Sequence, residues 1–309
     1  MWYGGWTAPV ADGAGSARAV LRLFAAGGLP ANVALMRLLM ETARPEEAEA
    51  AIAAERAAAV SAEPAERLAG LGDLLRRHPQ AWATVRGVLG EAEHDRLAGR
   101  DGPRHWAAVF DRLARLAPEA SVALYALGSP DLLRAATDEV VGLMRNWGLL
   151  GRDRHLLEIG CGIGRLTLAL APELASAVGH DVSAEMIAEA RRRAAGMPSL
   201  RFSQTEGRDL AGVPAASQDV VLAADVFPYL VEPDPALAER HVAEAARVLR
   251  PGGALLILNY SYRGDAARDR ADLRASFARC GLVAEREGTR DLALWDALAF
   301  LGRKGPAGR

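Results

Sequence analysis

Residues 155–165 form the segment of this sequence that is best suited to bind a small ligand. An apolar run ends in Glu158 and is followed by Gly160, Gly162 and Gly164. The apolar run predicts a buried strand, and the residues after the glycines predict a helix. Glycine has no Cβ, so the backbone of such a turn can approach a ligand closely, and open α/β sheets bind ligands at the carboxyl ends of their strands. The segment therefore predicts a ligand site at the end of a strand.

The glycine spacing distinguishes between two classes of cofactor site. A dinucleotide site has the pattern G-x-G-x-x-G, whose third glycine would fall at position 165. That position is Arg165, and the sequence instead reads E-x-G-x-G-x-G. A dinucleotide-dependent oxidoreductase is therefore disfavoured.

The segments that follow continue the alternation of strands and helices. Residues 177–181 predict a second strand that ends in Asp181, whose carboxylate can accept hydrogen bonds from both hydroxyls of a ribose. Residues 200–204 predict a third strand and residues 219–224 a fourth. A helix then ends in R-V-L-R-P-G-G at 247–253, and a fifth strand follows it. Such alternation indicates a parallel sheet.

This ordered set of motifs resembles the class I S-adenosylmethionine (SAM) dependent methyltransferases, in the subgroup called type 11. The resemblance covers the chain from about residue 129 onward and rests on the glycine turn, Asp181 and the R-V-L-R-P-G-G motif. It implies an α/β fold, a Rossmann-like, doubly wound, seven-stranded sheet. It also implies SAM as the cofactor and S-adenosylhomocysteine as the product.

The resemblance also assigns roles at the cofactor site. Glu158 and the glycine turn would hold the methionine part of SAM, and Asp181 would hold the ribose. Val182 and Met186 would flank the adenine, while Asp209 and the Leu210 backbone would meet its amino edge. A salt-bridged strand end, a helix cap or core packing are the alternatives for these residues. The full predicted set comprises Glu158, Gly160, Cys161, Gly162, Gly164, Asp181, Val182, Met186, Asp209, Leu210 and Ala224.

The acceptor side offers fewer signals. Asp225 and Tyr229 leave the fourth strand and are candidates to line the point of methyl transfer, with a helix cap and a packed ring as the alternatives. His241, in the next helix, is a candidate base, with an ordinary surface histidine as the alternative.

A second group of candidates would contact the acceptor. Tyr262 and Arg263 follow the fifth strand, and Arg263 could form a fork with an acceptor carboxylate or phosphate. The alternative for Arg263 is an ion pair with Asp265. Tyr125 precedes the catalytic segment and is a candidate to fold over the site.

Composition excludes several classes of protein. The chain has 309 residues and a net charge of −2, which argues against nucleic acid as a partner. Its two cysteines form no disulfide framework, and no signal peptide or membrane span is evident, so we expect a cytoplasmic protein without a membrane partner. No metal-binding spacing occurs.

The chain divides into two predicted regions. Residues 1–128 are rich in alanine, and Pro45, Pro64, Pro79, Pro103 and Pro118 each precede a helical pattern, which predicts about six helices and no strands. Residues 129–309 form the predicted methyltransferase domain and begin with an amphipathic helix. A lid over the acceptor and a platform for a homodimer are the two interpretations of the first region.

We therefore expect a SAM-dependent methyltransferase of small-molecule biosynthesis. The acceptor would be a small molecule that is methylated at oxygen or nitrogen by direct in-line displacement. Two alternatives stay open. One is a SAM-fold protein with non-methylating chemistry, and the other is a regulatory or binding subunit.

Overall fold

The computed structural model describes residues 13–93 and 101–306, so the aromatic segment near residue 1 lies outside the described residues. These residues group into two compact units. The helical unit contains the described residues up to 93, with Leu116–Glu139 and Leu292–Asp296. The sheet unit contains residues 101–115, Val140–Asp291 and residues 297–306. Each unit is therefore built from segments that are separated along the sequence.

The helical unit is built from amphipathic helices that bury one face each. Prolines occupy the first turn of several of them, where the missing N–H has no intrahelical partner. In α2 the side chains of Val33, Leu35 and Leu38 are fully buried. The helices are α1 (Gly13–Ala25), α2 (Ala31–Glu41), α3 (Pro45–Ala57), α4 (Ala62–Arg77), α5 (Ala81–Glu93) and, after α6, α7 (Pro118–Val122), with a 3-10 turn at Leu124–Ala126.

A buried side chain explains why residues 292–296 belong to this unit. The Asn32 amide donates to the carbonyl oxygens of Tyr125 (2.9 Å) and Leu294 (2.8 Å). Arg37 pairs with Asp296 at 2.5 Å. These bonds satisfy buried polar groups, which would otherwise be costly to leave unpaired. The predicted helical character of residues 1–128 is confirmed where the structure describes them, since none of those residues lies in a strand.

The sheet unit contains one seven-stranded sheet with the order β3-β2-β1-β4-β5-β7-β6. The first five strands are parallel, and β7 runs antiparallel to both β5 and β6. This arrangement confirms the predicted Rossmann-like fold. The strands are β1 (Gly151–Ile159), β2 (Leu174–Asp181), β3 (Leu200–Gln204), β4 (Gln218–Ala224), β5 (Leu249–Leu258), β6 (Leu282–Thr289) and β7 (Ala299–Lys304).

The strand register brings the carboxyl ends of the parallel strands to one edge. Ile159 pairs with His180 of β2 and with Ala223 of β4. Ala224, the last residue of β4, pairs with Leu258, the last residue of β5. The residues that follow these strands are therefore neighbours in space. We call this line of strand ends the carboxyl edge.

Helices connect the strands and cover the sheet. Helix α8 (Pro130–Asn146) precedes β1, and its residues are divided between the two units. The α12–β5 boundary differs from the prediction, because the strand already begins at Leu249 and includes Pro251 and both following glycines. The remaining helices of the unit are α6 (Gly102–Leu116), α9 (Arg165–Leu170), α10 (Ala184–Arg193), α11 (Phe227–Val231), α12 (Pro235–Val248) and α13 (Ala266–Arg279), with a 3-10 turn at Ala171–Glu173.

Helix α6 has a place that the sequence does not indicate. It precedes residue 128, yet residues 102–115 group with the sheet. The compact units thus do not follow a single cut of the chain at 128/129.

No helix in the described ranges is long and apolar enough to cross a membrane.

Candidate functional site at the carboxyl edge of the sheet

The glycine turn joins β1 to α9 in a backbone conformation that other residues rarely adopt. Gly160, Gly162 and Gly164 have φ angles of +67°, +52° and +77°. A Cβ on Gly160 would lie 2.5 Å from Val226 Cγ2, and one on Gly164 would lie 2.9 Å from the Phe202 ring. Glycine is therefore required at these two positions by the protein's own packing as well as by the backbone angles.

Asp181 at the end of β2 binds the glycine turn directly. Its Oδ2 accepts from the Gly162 N–H at 2.8 Å, and its Oδ1 accepts from the Ser183 N–H at 2.9 Å. Burial raises the pKa of Asp181, and the backbone N–H donors oppose that increase. The predicted ribose-binding carboxylate thus lies beside the turn, half-buried, with its orientation set by two backbone bonds.

Glu158 is almost completely enclosed. Only 2% of the residue is exposed, and its Oε2 accepts a short hydrogen bond from the Thr167 hydroxyl of α9. Burial raises the pKa of Glu158 to about 7, although the Thr167 bond opposes the increase. Here the carboxyl group holds the helix that follows the glycine turn.

Cys161 lies inside the turn as a buried small residue. Its N–H donates to the His180 carbonyl oxygen at 3.0 Å, which links the turn to β2. Burial raises the pKa of the Cys161 thiol well above its ordinary value, so the thiol stays protonated at neutral pH.

The start of α10 holds the next two predicted residues. Ser183 caps this helix by accepting from the Met186 N–H at 3.1 Å. The Met186 side chain is buried, with 1% of the residue exposed, and packs in the core. Val182 is half-buried and lies against Gly207, where an added Cβ would be 2.5 Å from Val182 Cγ1.

Polar groups of the loop after β3 form hydrogen bonds within the loop and with α12. Asp209 is exposed, and its Oδ1 accepts from the Ala211 N–H at 3.0 Å, which closes a turn. The Leu210 N–H donates to Glu244 at 3.1 Å, and the Leu210 carbonyl oxygen accepts from Arg247 at 2.8 Å. A contact between the Leu210 N–H and an adenine would have to replace the bond to Glu244.

Two non-glycine residues adopt left-handed backbone angles on the other side of the glycine turn. Asp225 follows β4 with a φ of +59°, and Asn259 follows β5 with a φ of +67°. The Asn259 amide donates to Asp225 Oδ1 at 2.7 Å. Residues in this region of backbone space are uncommon and often occur at functional sites. Sequence reasoning missed Asn259.

Four aromatic side chains from α6 and from the segments after β4 and β5 pack together, and we call Trp106, Phe110, Tyr229 and Tyr262 the aromatic wall. The Tyr229 ring centroid is 4.8 Å from Trp106, 5.3 Å from Phe110 and 5.9 Å from Tyr262. The Tyr229 and Tyr262 hydroxyl oxygens are 3.5 Å apart. The structure therefore brings together two predicted tyrosines and two α6 residues that sequence reasoning missed. The spacing of Trp106 and Phe110 on α6 could have indicated a shared contact, but the same spacing is typical of core packing.

Arg263 has partners other than the one considered from sequence. Its guanidinium pairs with Asp269 at 2.7 Å and with Asp272 at 2.5 Å. Asp265 instead caps α13 by accepting from the Arg268 N–H at 2.9 Å. The ion pair with Asp265, which was the alternative for Arg263, does not form, because that carboxylate is used at a helix start.

His241 is not the surface residue that the sequence suggested. Only 2% of it is exposed, and its Nδ1 is 2.9 Å from the Leu237 carbonyl oxygen, one turn earlier in α12. Burial lowers the pKa of His241, so the ring is neutral at physiological pH. It packs within the helix face that covers the sheet.

Tyr125 belongs to the helical unit. It is buried, and its ring stacks on Trp295 with centroids 5.4 Å apart. Among the described residues, no group of three or more His, Cys, Asp or Glu side chains is arranged to hold a metal ion.

Comparison with known proteins gives a consistent picture for the sheet unit. Residues 157–257 match the family model of the methyltransferase domain. The chain is 37% identical over 127 residues to phosphatidylethanolamine N-methyltransferase of Cereibacter sphaeroides, covering 40% of this chain and 57% of that protein. It is 27% identical over 146 residues to an S-adenosyl-L-methionine-dependent Diels-Alderase of Talaromyces variabilis, covering 46% and 47%.

A solved structure aligns over a longer part of the chain. Magnesium protoporphyrin IX methyltransferase of Synechocystis PCC 6803, with bound SAM, aligns with a TM-score of 0.49 at 20% identity, covering 67% of this chain and 99% of that one. The chain spans about half of the length of the two sequence relatives named above. Residues 157–257 are therefore similar in sequence to a methyltransferase domain, and the sheet that contains them has the strand order of a Rossmann-like fold.

Proposed function

We propose that this protein transfers a methyl group from SAM to an oxygen or nitrogen of a small-molecule acceptor. The observation that carries the proposal is the glycine turn with its partner Asp181. Three glycines with positive φ angles stand between two buried or half-buried carboxylates, at the carboxyl edge of a parallel sheet. This is the edge at which such sheets bind ligands.

The strand order divides the carboxyl edge into two halves. The cofactor half consists of the ends of β1 and β2, with the glycine turn and Asp181. The acceptor half consists of the ends of β4 and β5, with Asp225 and Asn259. Val226 packs directly against Gly160, so the two halves adjoin. A cofactor held on the turn would therefore have its reacting end beside Asp225.

Each half fits a part in direct in-line transfer. When bound, SAM supplies a methyl group that is already activated on a sulfonium. Asp181 would hold the ribose hydroxyls, and the glycine turn would lie along the methionine part. Asp225, positioned by Asn259, would take the proton that the acceptor loses as its new bond to carbon forms. The main contribution of the chain is to align the acceptor and exclude water.

The non-methylating alternative keeps one supporting observation. A relative of this chain is named as a SAM-dependent Diels-Alderase. Proteins of similar sequence can therefore carry out more than one type of reaction. The acceptor, the cytoplasmic location and a role in small-molecule biosynthesis belong to the same proposal.

Calorimetric titration with SAM, S-adenosylhomocysteine and NAD tests the cofactor. We expect both SAM and its demethylated product to bind, and NAD not to bind. Asp181→Asn should weaken binding by about tenfold or more, because one backbone bond is kept and the paired acceptor for ribose hydroxyls is lost. Asp131→Asn, whose side chain is 89% exposed in α8, is the matched control. Folded protein that binds neither SAM nor its product would contradict the proposal.

Transfer is tested separately with SAM that carries a labelled methyl group. Incubation with a panel of phenols, amines and carboxylic acids should yield a labelled product with at least one of them. Cofactor binding without label transfer to any panel member would instead favour non-methylating chemistry.

A further inference from the structure

We propose that helix α6 forms part of the acceptor site, and that the acceptor is a flat, conjugated ring system without an anionic group. This inference rests on the proposed function and specifies its substrate class. Helix α6 lies outside 157–257, the segment matched by the family model.

One end of α6 is attached to the cofactor half. Asp111 Oδ1 accepts from the Ser183 hydroxyl at 2.6 Å and from the Glu185 N–H at 3.1 Å. Arg115 pairs with Glu185 at 2.6 Å. A carboxylate at a helix start interacts favourably with the helix dipole and the unpaired N–H groups. Asp111 therefore fixes α6 to the first turn of α10, directly after Asp181.

The other end of α6 reaches the loop after β3 and the residues between α11 and α12. Asp101, just before the helix, forms an ion pair with Arg208. A Cβ on Gly102 would lie 2.7 Å from Pro233, and a Cβ on Gly207 would lie 3.3 Å from Pro103 Cβ. Helix α6 is thus held at both ends by residues that follow strands of the parallel sheet. It runs over the carboxyl edge as part of the same compact unit.

The middle of α6 presents two rings to the acceptor half. Trp106 and Phe110 are one helical turn apart, and both meet Tyr229 edge to face. Tyr229 in turn meets Tyr262, which lies three residues after the left-handed Asn259. Tyr229 and Tyr262 remain half-buried, whereas Trp106 is 5% exposed. Aromatic faces and edges of this kind favour a flat ring as the next partner.

The charges in the segments after β4 and β5 disfavour an anionic acceptor. Arg263 is the sole basic residue in the segments 225–234 and 259–265. Its guanidinium is already paired with Asp269 and Asp272, so this cluster has an excess of negative charge. Asp225 adds a further carboxylate. A carboxylate or phosphate on the acceptor would meet repulsion and no unpaired cation from these segments. The predicted fork between Arg263 and an acceptor anion is therefore replaced by an internal ion-pair cluster.

The test compares three probes on protein loaded with S-adenosylhomocysteine. They are 2-naphthol, which is flat and neutral, its saturated analogue decahydro-2-naphthol, and the anion 6-hydroxy-2-naphthoate. We expect 2-naphthol to bind, and each of the other two to bind about tenfold more weakly. Trp106→Ala should weaken 2-naphthol binding by about tenfold and leave the dissociation constant of S-adenosylhomocysteine unchanged. Phe110→Leu, a milder change, should act in the same direction if the first variant fails to fold.

Trp82→Ala is the matched control, since Trp82 lies in the helical unit and donates to the Thr42 carbonyl oxygen at 3.2 Å. It should leave 2-naphthol binding unchanged. Equal or tighter binding of the naphthoate, equal binding of the saturated analogue, absence of 2-naphthol binding or no effect of both α6 variants would each overturn the inference. Failure of S-adenosylhomocysteine itself to bind would overturn the proposed function instead, so the two failures are distinguishable.

Discussion

The two halves of the carboxyl edge are built from different kinds of groups. In the cofactor half, the site is held mainly through backbone groups, since Asp181 accepts from the N–H groups of Gly162 and Ser183. In the acceptor half, side chains contact side chains, as in the Asp225–Asn259 bond and the aromatic wall. Backbone groups recur in every sequence of the same pattern, whereas side-chain contacts depend on the residues of one chain. The first half can therefore be shared by many proteins while the second differs among them.

The difference also concerns how the left-handed backbone is formed. Gly160 adopts it without steric cost, whereas Asp225 and Asn259 adopt it with side chains present. A residue other than glycine in this region stores strain that surrounding contacts must offset. We therefore expect substitutions in the cofactor half to change stability strongly, and substitutions in the acceptor half to change activity first.

The largest effect is expected for Gly160→Ala in the cofactor half. The new Cβ would be 2.5 Å from Val226 Cγ2, and the φ of +67° is unfavourable for alanine. Overpacking and the backbone penalty together should lower the free energy of unfolding by about 4 kcal/mol. Urea denaturation measures this. Gly252→Ala is the matched control, because its φ is +79° but nothing lies within 4 Å of the added Cβ, so about 1 kcal/mol is expected. Equal losses in the two variants would contradict the packing argument.

Glu158→Gln should produce the next largest effect, and it should depend on pH. The folded protein raises the pKa of Glu158 from its ordinary value of 4.5 to about 7, so folding favours the protonated carboxyl. Stability from this group is therefore fully present below pH 4.5 and is lost as the pH rises to about 7. Glutamine, which stays neutral, should make the protein more stable than wild type at pH 8 by at most about 3 kcal/mol.

Thermal unfolding at pH 5 and pH 8 checks this prediction. The gain should be much larger at pH 8 than at pH 5. Glu206→Gln, at an exposed position after β3, should change neither value appreciably. A pH-independent effect of Glu158→Gln would mean that the carboxyl group is ionised throughout.

The smallest effect on stability is expected for Asn259→Gly. This variant changes the acceptor half and leaves the cofactor half intact. Glycine adopts the φ of +67° freely, so stability should change by less than about 1 kcal/mol, while Asp225 loses its amide partner. Methyl transfer to 2-naphthol should slow by about tenfold, with the affinity for SAM unchanged. Ala216→Gly relieves a similar backbone angle, φ +49°, away from the carboxyl edge, and should leave the rate unchanged. A wild-type rate for Asn259→Gly would remove Asn259 from the acceptor half.

Several elements could be predicted from local sequence. Strands β2 and β3 end where the patterns predict, at Asp181 and Gln204, and α8 spans the predicted amphipathic segment. Local periodicity decides such elements because each buries one face. The role of Glu158 was harder to predict from local sequence, since its burial and its bond to Thr167 depend on the packing of α9. The misassigned partner of Arg263 has a similar cause, because helix capping and ion pairing compete for nearby carboxylates.

By itself, the sequence determined the strand–turn–helix units, the glycine turn and the position of Asp181 after its strand, because these depend on residues close together in the chain. Only the tertiary structure decided that α6 joins the sheet unit and that Trp106 and Phe110 meet Tyr229. Such contacts link residues more than a hundred positions apart. The physical reason is that hydrophobic packing is non-directional, so an aromatic pair on a helix specifies that it must be buried but not which partner will bury it.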